Sequence, residues 1–333
     1  MDSTLLAVSF LVALALIFDF LNGANDAANS ICTIVATKVL KPGQAVVWAA
    51  FFNFIAFLVF GTHVAKTMGK GIIDINIVDN IVIFSALIGA SSWTAISTYL
   101  GFPISVSHSL IGALIGTALI KAGYSALIMS GIYKTALFIV LSPILGMLLG
   151  SLFMVILYNA FKKSTPSKVE HIFAKGQLFS AALYSLGHGG NDAQKTMGII
   201  AGLLYSAGYL GGEFHIPLWV VLSAQGAIAL GTLIGGWKVV NTLGNRLAKL
   251  RPVDGFAAET GAAATLYMAT FFGIPVSTTH TITGAILGVG SVKRLHSVRW
   301  GVSKEIIWAW VLTIPGSALI SALTFYITTK ILG

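Results

Sequence analysis

The chain is built from long apolar blocks separated by short polar gaps. A bilayer core of about 30 Å takes about 20 apolar residues as helix. Blocks of that kind cover 4–37, 43–63, 80–101, 103–120, 128–158, 177–205, 217–237, 256–272, 275–290 and 305–329. The pattern predicts an all-α, polytopic membrane protein with no large soluble domain. The one clearly polar stretch, 162–176, contains Lys162, Lys163, Lys168 and Lys175. It divides the chain into a first transmembrane unit (1–161), a cytoplasmic linker (162–176) and a second transmembrane unit (177–333).

Composition agrees with this pattern. Hydrophobic residues make up 56% of the 333 positions and charged residues 9%, with a mean hydropathy of +0.89. Soluble domains carry about 25% charged residues, so an ordinary cytosolic enzyme and a disordered chain are excluded. A net charge of +9 invites a nucleic-acid reading. The basic residues sit in gaps between apolar blocks, however, and form no basic domain; they read as positive-inside loop charges. Cys32 stands alone, so no internal disulfide is expected. Met1-Asp2-Ser3 lacks a basic n-region, so the first block reads as a retained span.

Orientation follows from the basic residues. With 162–176 inside, and 80–120 and 256–290 treated as hairpins that return to the side they left, the inside loops fall near 38–42, 162–176, 238–255 and 291–304. These hold 14 of the 20 Lys and Arg residues, and the outside loop near 206–216 holds none. Both termini are expected outside a cell (inner) membrane, and the two halves run in opposite directions.

Self-similarity supports the same division. Gly23-Ala24-Asn25-Asp26-Ala27 matches Gly189-Gly190-Asn191-Asp192-Ala193 at an offset of 166. Residues 89–116 align without gaps to 261–288 at an offset of 172, with ten of 28 positions identical, including the shared Gly-x-Pro-x-Ser-x-x-His. Inverted repeats with discontinuous helices and paired hairpins are the architecture of secondary transporters, whose sites lie at the midplane.

Gly23 lies about 20 residues into a block too long for one simple span, and is expected to let the helix open, with Asn25 and Asp26 capping a new half-helix. Freed carbonyls and side-chain oxygens would suit a small hard cation such as Na⁺. The candidate sodium residues are therefore Gly23, Asn25, Asp26, Gly189, Asn191 and Asp192. Asp19 lies in the same block with no separate role.

In the hairpins, Gly101-Phe102-Pro103 and Gly273-Ile274-Pro275 end one helix. Ser105 or Ser107, and Ser277 or Thr279, can cap the next. Two helix N-termini with adjacent hydroxyls suit a tetrahedral oxyanion. The candidate substrate residues are Ser105, Val106, Ser107, Ser277, Thr278, Thr279 and Gln194. His108 and His280 read as braces of the tips. Lys195 is expected to pair with Asp192 or an anion, or to snorkel to an interface. Glu259 is expected near the inner loop or on an ion path; the repeat pairs it with Leu87. Asp26 and Asp192 alone would repel an anion, so cations bound there would couple the two affinities.

These residues resemble the inorganic phosphate transporter family, in its prokaryotic branch. The likeness rests on Gly23-Ala24-Asn25-Asp26-Ala27-Ala28-Asn29-Ser30, on His188 through Gly198, and on Pro275-Val276-Ser277-Thr278-Thr279-His280. It implies symport of inorganic phosphate driven by Na⁺, with phosphate between the hairpin tips, cations near the Asn-Asp segments, and a homodimer. No cofactor and no nucleic acid are implied. Two departures stand out. Val106 offers only its backbone where relatives often carry a small or hydroxyl residue, and Leu87 stands where many relatives carry an acid. The large hydrophilic central domain of animal members is absent.

Proton coupling and sulfate transport are the alternatives within the same fold. An intramembrane hydrolase with Ser105, His108 and Asp26 as a triad is disfavoured, because each member has a copy in the other half. A channel would give no uphill accumulation.

Overall fold

The computed structural model describes residues 3–293 and 298–332. The elements are α1 (Ser3–Ala36), α2 (Pro42–Ile55), α3 (His63–Lys70), α4 (Asn80–Leu100), α5 (Val106–Ala122), α6 (Met129–Phe161), α7 (Pro166–Ser206), α8 (Leu218–Ile234), α9 (Trp237–Asn241), α10 (Pro252–Phe271), α11 (Thr278–Lys293) and α12 (Trp300–Leu332). Among the described residues there is no β-sheet, only isolated bridges at Ile73–Leu127 and Ala248–Val298. Each predicted apolar block falls on one of these helices or helix pairs. The inner loop expected at 291–304 lies partly outside the described residues, as do the chain ends.

Among the described residues, five helices (α1, α4, α5, α6 and α12) are each long and apolar enough to cross a bilayer, and two bent pairs, each taken as one span, raise the count to seven. Lipid-facing character is visible in the exposed side chains of Phe51, Leu58, Leu137, Phe272, Trp308 and Leu319. Pro143 in α6 and Pro315 in α12 sit inside the two 33-residue helices at positions 172 apart. Such prolines are tolerated within a membrane because neighbouring helices satisfy the freed backbone groups.

Three features differ from the sequence expectation. The polar stretch 162–176 is not a free linker: Pro166 starts α7, and residues 166–176 form its first turns. Phe173 holds this extension by packing against Phe161 and Phe256. Second, neither α1 nor α7 opens at its Asn-Asp motif; both run through it as continuous helix. The glycines serve close approach instead. A Cβ on Gly23 would strike the carbonyl of Ile228, and one on Gly189 the carbonyl of Asn53. Third, the breaks lie in the neighbouring spans. The chain turns by 86° between α2 and α3, and by 66° between α8 and the α9 segment.

The hairpins α4–α5 and α10–α11 each pack against the last long helix of the other half: α4 and α5 on α12, α10 and α11 on α6. Glycine grooves allow it. Gly112 and Gly116 face the backbones of Ile314 and Ala318, and Gly284 and Gly288 face those of Pro143 and Met147. Small residues four apart let membrane helices approach closely. Each hairpin is thus held between its own half and the last long helix of the other, so the two halves interlock.

This packing gives a direct test. Gly116→Leu or Gly288→Leu should wedge a hairpin off its partner helix and destabilise the protein by about 1–3 kcal/mol or more. Gly43, where an added methyl would meet nothing within 4 Å, should accept Ala. The check is monodisperse yield and thermal midpoint of the purified variants, with loss at the first two positions and none at Gly43.

Candidate functional site

Each hairpin turns on a glycine with positive φ, Gly101 at 81° and Gly273 at 66°. Pro103 and Pro275 follow, and a serine then starts the next helix. Of the capping alternatives, Ser105 accepts from His108 N at 3.2 Å and Ser277 from His280 N at 3.1 Å. The N-termini of α5 and α11 thus both point into the molecule, leaving the amides of Val106, Ser107, Thr278 and Thr279 in the first turns.

The two tips meet. Ser107 Oγ donates to Val276 O at 3.3 Å, and Thr279 Oγ1 donates to Ile104 O at 2.8 Å. Ser107 pairs with Thr279, and Ile104 with Val276, at the 172 offset, so the two bonds are reciprocal. His108 and His280 meet behind them with ring centroids 4.7 Å apart. His280 stacks on Trp310 at 3.6 Å, and Trp310 Nε1 donates to Pro103 O at 3.0 Å. Both histidines thus lie directly behind the contact between the tips.

The Asn-Asp motifs divide their work. Asn25 Nδ2 donates to Thr98 Oγ1 at 2.7 Å, and Asn191 Nδ2 to Thr270 Oγ1 at 3.0 Å. These bonds fasten each hairpin to the long helix of its own half. Asn191 Oδ1 also accepts from Val276 N at 3.4 Å. Asn191, expected at a cation, is therefore committed to the hairpin, whereas Asn25 Oδ1 has no partner. Gly23 and Gly189 keep their carbonyls in continuous helix, so they do not supply the freed backbone oxygens expected of them. Gln194, expected at the substrate, instead accepts from the amides of Val64 and Ala65 at 2.9 and 3.2 Å. It caps the broken half-helix α3, because the first amides of a helix have no partner within it.

The aspartates remain central. Thr278 Oγ1 lies 3.2 Å from Asp26 Oδ2 and 3.1 Å from Asp192 Oδ2. A hydroxyl has one proton, so it serves one carboxylate at a time. His188 Nε2 lies 3.3 Å from Asp192 Oδ2, and His188 Nδ1 lies 3.1 Å from Asn53 Oδ1. Asn53 Nδ2 donates to Thr232, which orients its oxygen to take the Nδ1 proton. The Nε2 atom of His188 is thereby left facing Asp192. Asp26, His188 and Asp192 each offer one ligand atom within 4.8 Å of the others. Lone pairs converging on one buried point suit a cation.

Lys195 is buried at the junction of the tips. Its Nζ bonds to Ser107 Oγ, to Asp192 Oδ1 and to Val276 O, the last at 3.0 Å. Of the readings open to it, the pairing with Asp192 holds and the interface position does not. Glu259 is also buried, and its oxygens accept from Thr33, Gln177 and Ser180. Leu87, its repeat partner, packs in an apolar cluster with Leu11 and Ile199.

The sequence reading missed His188, Asn29, Tyr184 and the Glu259 partners. Asn29 Nδ2 donates to Thr279 Oγ1 at 2.8 Å, and Tyr184 Oη to Thr278 O at 3.1 Å. His188 and Asn29 differ from their repeat partners Asn22 and Lys195, so identity between halves passed over them.

Comparison with known proteins follows the same lines. The phosphate transporter family matches residues 22–321. A probable low-affinity inorganic phosphate transporter of Rhizobium meliloti (strain 1021) is 58% identical over 316 residues, covering 95% of each chain. A protein of the same description from Bacillus subtilis (strain 168) is 43% identical, over 99% of this chain and 100% of the relative. A solved structure described as the sodium-dependent phosphate transporter superposes with a TM-score of 0.87 at 27% identity, covering 98% of this chain and 99% of that one. With paired hairpins, a buried lysine at their junction and a family match across nearly the whole chain, this protein belongs to the phosphate transporter family.

Proposed function

We propose that this phosphate transporter is a secondary symporter, which moves inorganic phosphate across the cell membrane on a Na⁺ gradient by alternating access around the hairpin tips. The observation that carries the reading is the Lys195 ammonium, buried where both tips meet and one bond from the Asp192 carboxylate. The ammonium, the hydroxyls of Ser107, Thr278 and Thr279, and the N-termini of α5 and α11 offer donors to a tetrahedral oxyanion. Ser105 and Ser277 shape the turns.

Coupling follows from charge. Asp26 and Asp192 stand beside the phosphate position, and two like charges at about 4 Å repel by roughly 4 kcal/mol at an effective dielectric of about 20. A Na⁺ held by Asp26, Asp192 and the His188 lone pair relieves that repulsion, so each ligand favours the other. The solved neighbour's description as sodium-dependent supports Na⁺ as the ion. The inverted repeat is supported by the reciprocal tip bonds. The orientation, with both termini outside, is supported by the loop charges. The homodimer rests on the family resemblance.

Purified protein in proteoliposomes should accumulate labelled phosphate uphill when an inward Na⁺ gradient is imposed at fixed pH. Accumulation with a pH gradient alone would move the coupling to protons. Cold sulfate in excess should not compete.

Lys195→Gln should raise the half-saturating phosphate concentration by about tenfold to a hundredfold, the worth of a charge-assisted hydrogen bond. Asp26→Asn should flatten the Na⁺ dependence of the remaining uptake. The measurement is initial uptake rate against each ion in turn. Unchanged phosphate affinity in the first variant would remove the lysine from the site, and an unchanged Na⁺ curve in the second would reject the cation assignment.

A further inference from the structure

The two bent spans repeat each other. Gly61-x-x-Val64-x-x-Thr67-x-Gly69 and Gly236-x-x-Val239-x-x-Thr242-x-Gly244 match at an offset of 175. The first leads into α3, and the second runs through α9 into a short π-helical turn, Thr242–Arg246. Their contacts match as well. A Cβ on Gly69 would meet the carbonyl of Gly198 on α7, and one on Gly244 the carbonyl of Cys32 on α1. Each bent segment is thus seated on the long helix of the other half.

The threonines face the hairpins. Thr67 Oγ1 donates to Gly273 O at 2.8 Å, and Thr242 Oγ1 donates to Gly101 O at 3.2 Å. These carbonyls belong to the positive-φ glycines on which the hairpins turn. The approach is close: a Cβ on Gly273 would lie 3.2 Å from that of His63, and one on Gly101 would lie 3.0 Å from that of Lys238. Each hydroxyl also has a second acceptor one turn back in its own segment, His63 O at 3.3 Å and Lys238 O at 3.1 Å. One proton serves one acceptor at a time. A hydroxyl that releases the hairpin therefore falls back on its own helix, and its donor is not stranded.

On the orientation proposed above, α3 lies on the outer side of the second tip and α9 on the inner side of the first. A cavity of about 250 Å³ opens beside α9, lined by Gly101, Pro103, Lys238, Thr242, Arg246 and Glu305. Its two basic side chains outnumber the one acid, so the lining suits an anion. The chain segment 102–104 forms its wall toward the centre, where Thr279 Oγ1 donates to Ile104 O.

We propose that Thr67 and Thr242 are paired latches, which close the outer and inner routes to the phosphate site. Release of Gly101 by Thr242 lets the first hairpin part from α9 and opens the site to the basic cavity. Release of Gly273 by Thr67 lets the second hairpin part from α3 and opens the opposite route. The latches rest on the alternating-access reading and name the contacts that alternate.

The test reads each route separately. In a Cys32→Ala background, Ile104→Cys or Val276→Cys places a single thiol on one tip or the other. Both native side chains are buried, and only their backbones enter the bonds described above. The rate of modification by a sulfonated methanethiosulfonate is measured on each purified protein in nanodiscs. Thr242→Val should speed modification at position 104 by about twofold to tenfold, the worth of one neutral hydrogen bond, and slow it at position 276. Thr67→Val should do the reverse. Thr242→Ser and Thr67→Ser, which keep the hydroxyl, should restore the original rates. A purely structural role would loosen the protein generally. Faster modification at both positions in both valine variants, or unchanged rates in either, would therefore overturn the latches. Uphill phosphate accumulation by the intact chain separates the two readings: where it persists, failed labelling overturns the latches alone, and where no gradient drives it, the alternating-access reading and the latches fall together.

Discussion

The arrangement of the centre depends on one buried ammonium. An isolated charge cannot be held in the middle of a membrane protein; it must be paired and hydrogen-bonded. Lys195 has three N–H donors and finds three acceptors: the Asp192 carboxylate on its own helix, the Ser107 hydroxyl on one hairpin and the Val276 carbonyl on the other. That distribution ties α7 to both tips simultaneously. Moving either tip leaves one donor unsatisfied, unless an oxyanion takes its place. The same contact therefore positions the hairpins and, on the proposed reading, would make them responsive to an anion.

Where the two halves agree, they build the frame and supply the Asp26–Asp192 pair; where they differ, they polarise the site. The matched pairs are Asn25–Thr98 with Asn191–Thr270, the serine caps, the reciprocal tip bonds and the glycine grooves. The unmatched positions are Asn29 against Lys195, Asn22 against His188 and Leu87 against Glu259. The first mismatch is informative because its contacts remain equivalent. Asn29 donates to Thr279 as Lys195 donates to Ser107, so one hydroxyl relay is driven by an amide and the other by an ammonium. A frame of near two-fold symmetry thus holds a site polarised toward one half.

Much of this was legible in the sequence. Apolar blocks gave the helices, because hydrophobic length is the main demand a bilayer makes. The Gly-x-Pro-x-Ser pattern gave the hairpins, since turn, break and cap are local chemistry. The path of α1 and α7 was not legible. Glycine beside Asn-Asp reads as a place to open a helix, and only the facing backbones of Ile228 and Asn53 show that the missing side chains admit a neighbour. Gln194 was misplaced for a similar reason. Its motif placed it beside Asp192, but the break after α2 brings the bare amides of Val64 and Ala65 to it. Long-range partners of this kind have no signature in local pattern.

The tips touch through few bonds, and this bears on how the site would open. Each reciprocal bond runs from a hydroxyl to a carbonyl, and a neutral hydrogen bond contributes about 0.5–1.5 kcal/mol net. The hydroxyls are also fed from behind, by Asn29 and Lys195, so they keep one partner when the tips part. What resists separation is the loss of the Val276 and Ile104 carbonyl partners and of the contact between His108 and His280. On the proposed reading, a phosphate would replace the carbonyls as acceptor for both hydroxyls, so its insertion would exchange bonds more than break them. The glycine grooves that seat each hairpin on the opposite half leave those seats undisturbed by the exchange. On the alternating-access reading, the hairpins then move as bodies carried by α6 and α12, and the carboxylates beneath decide, through the cations they hold, whether the anion stays.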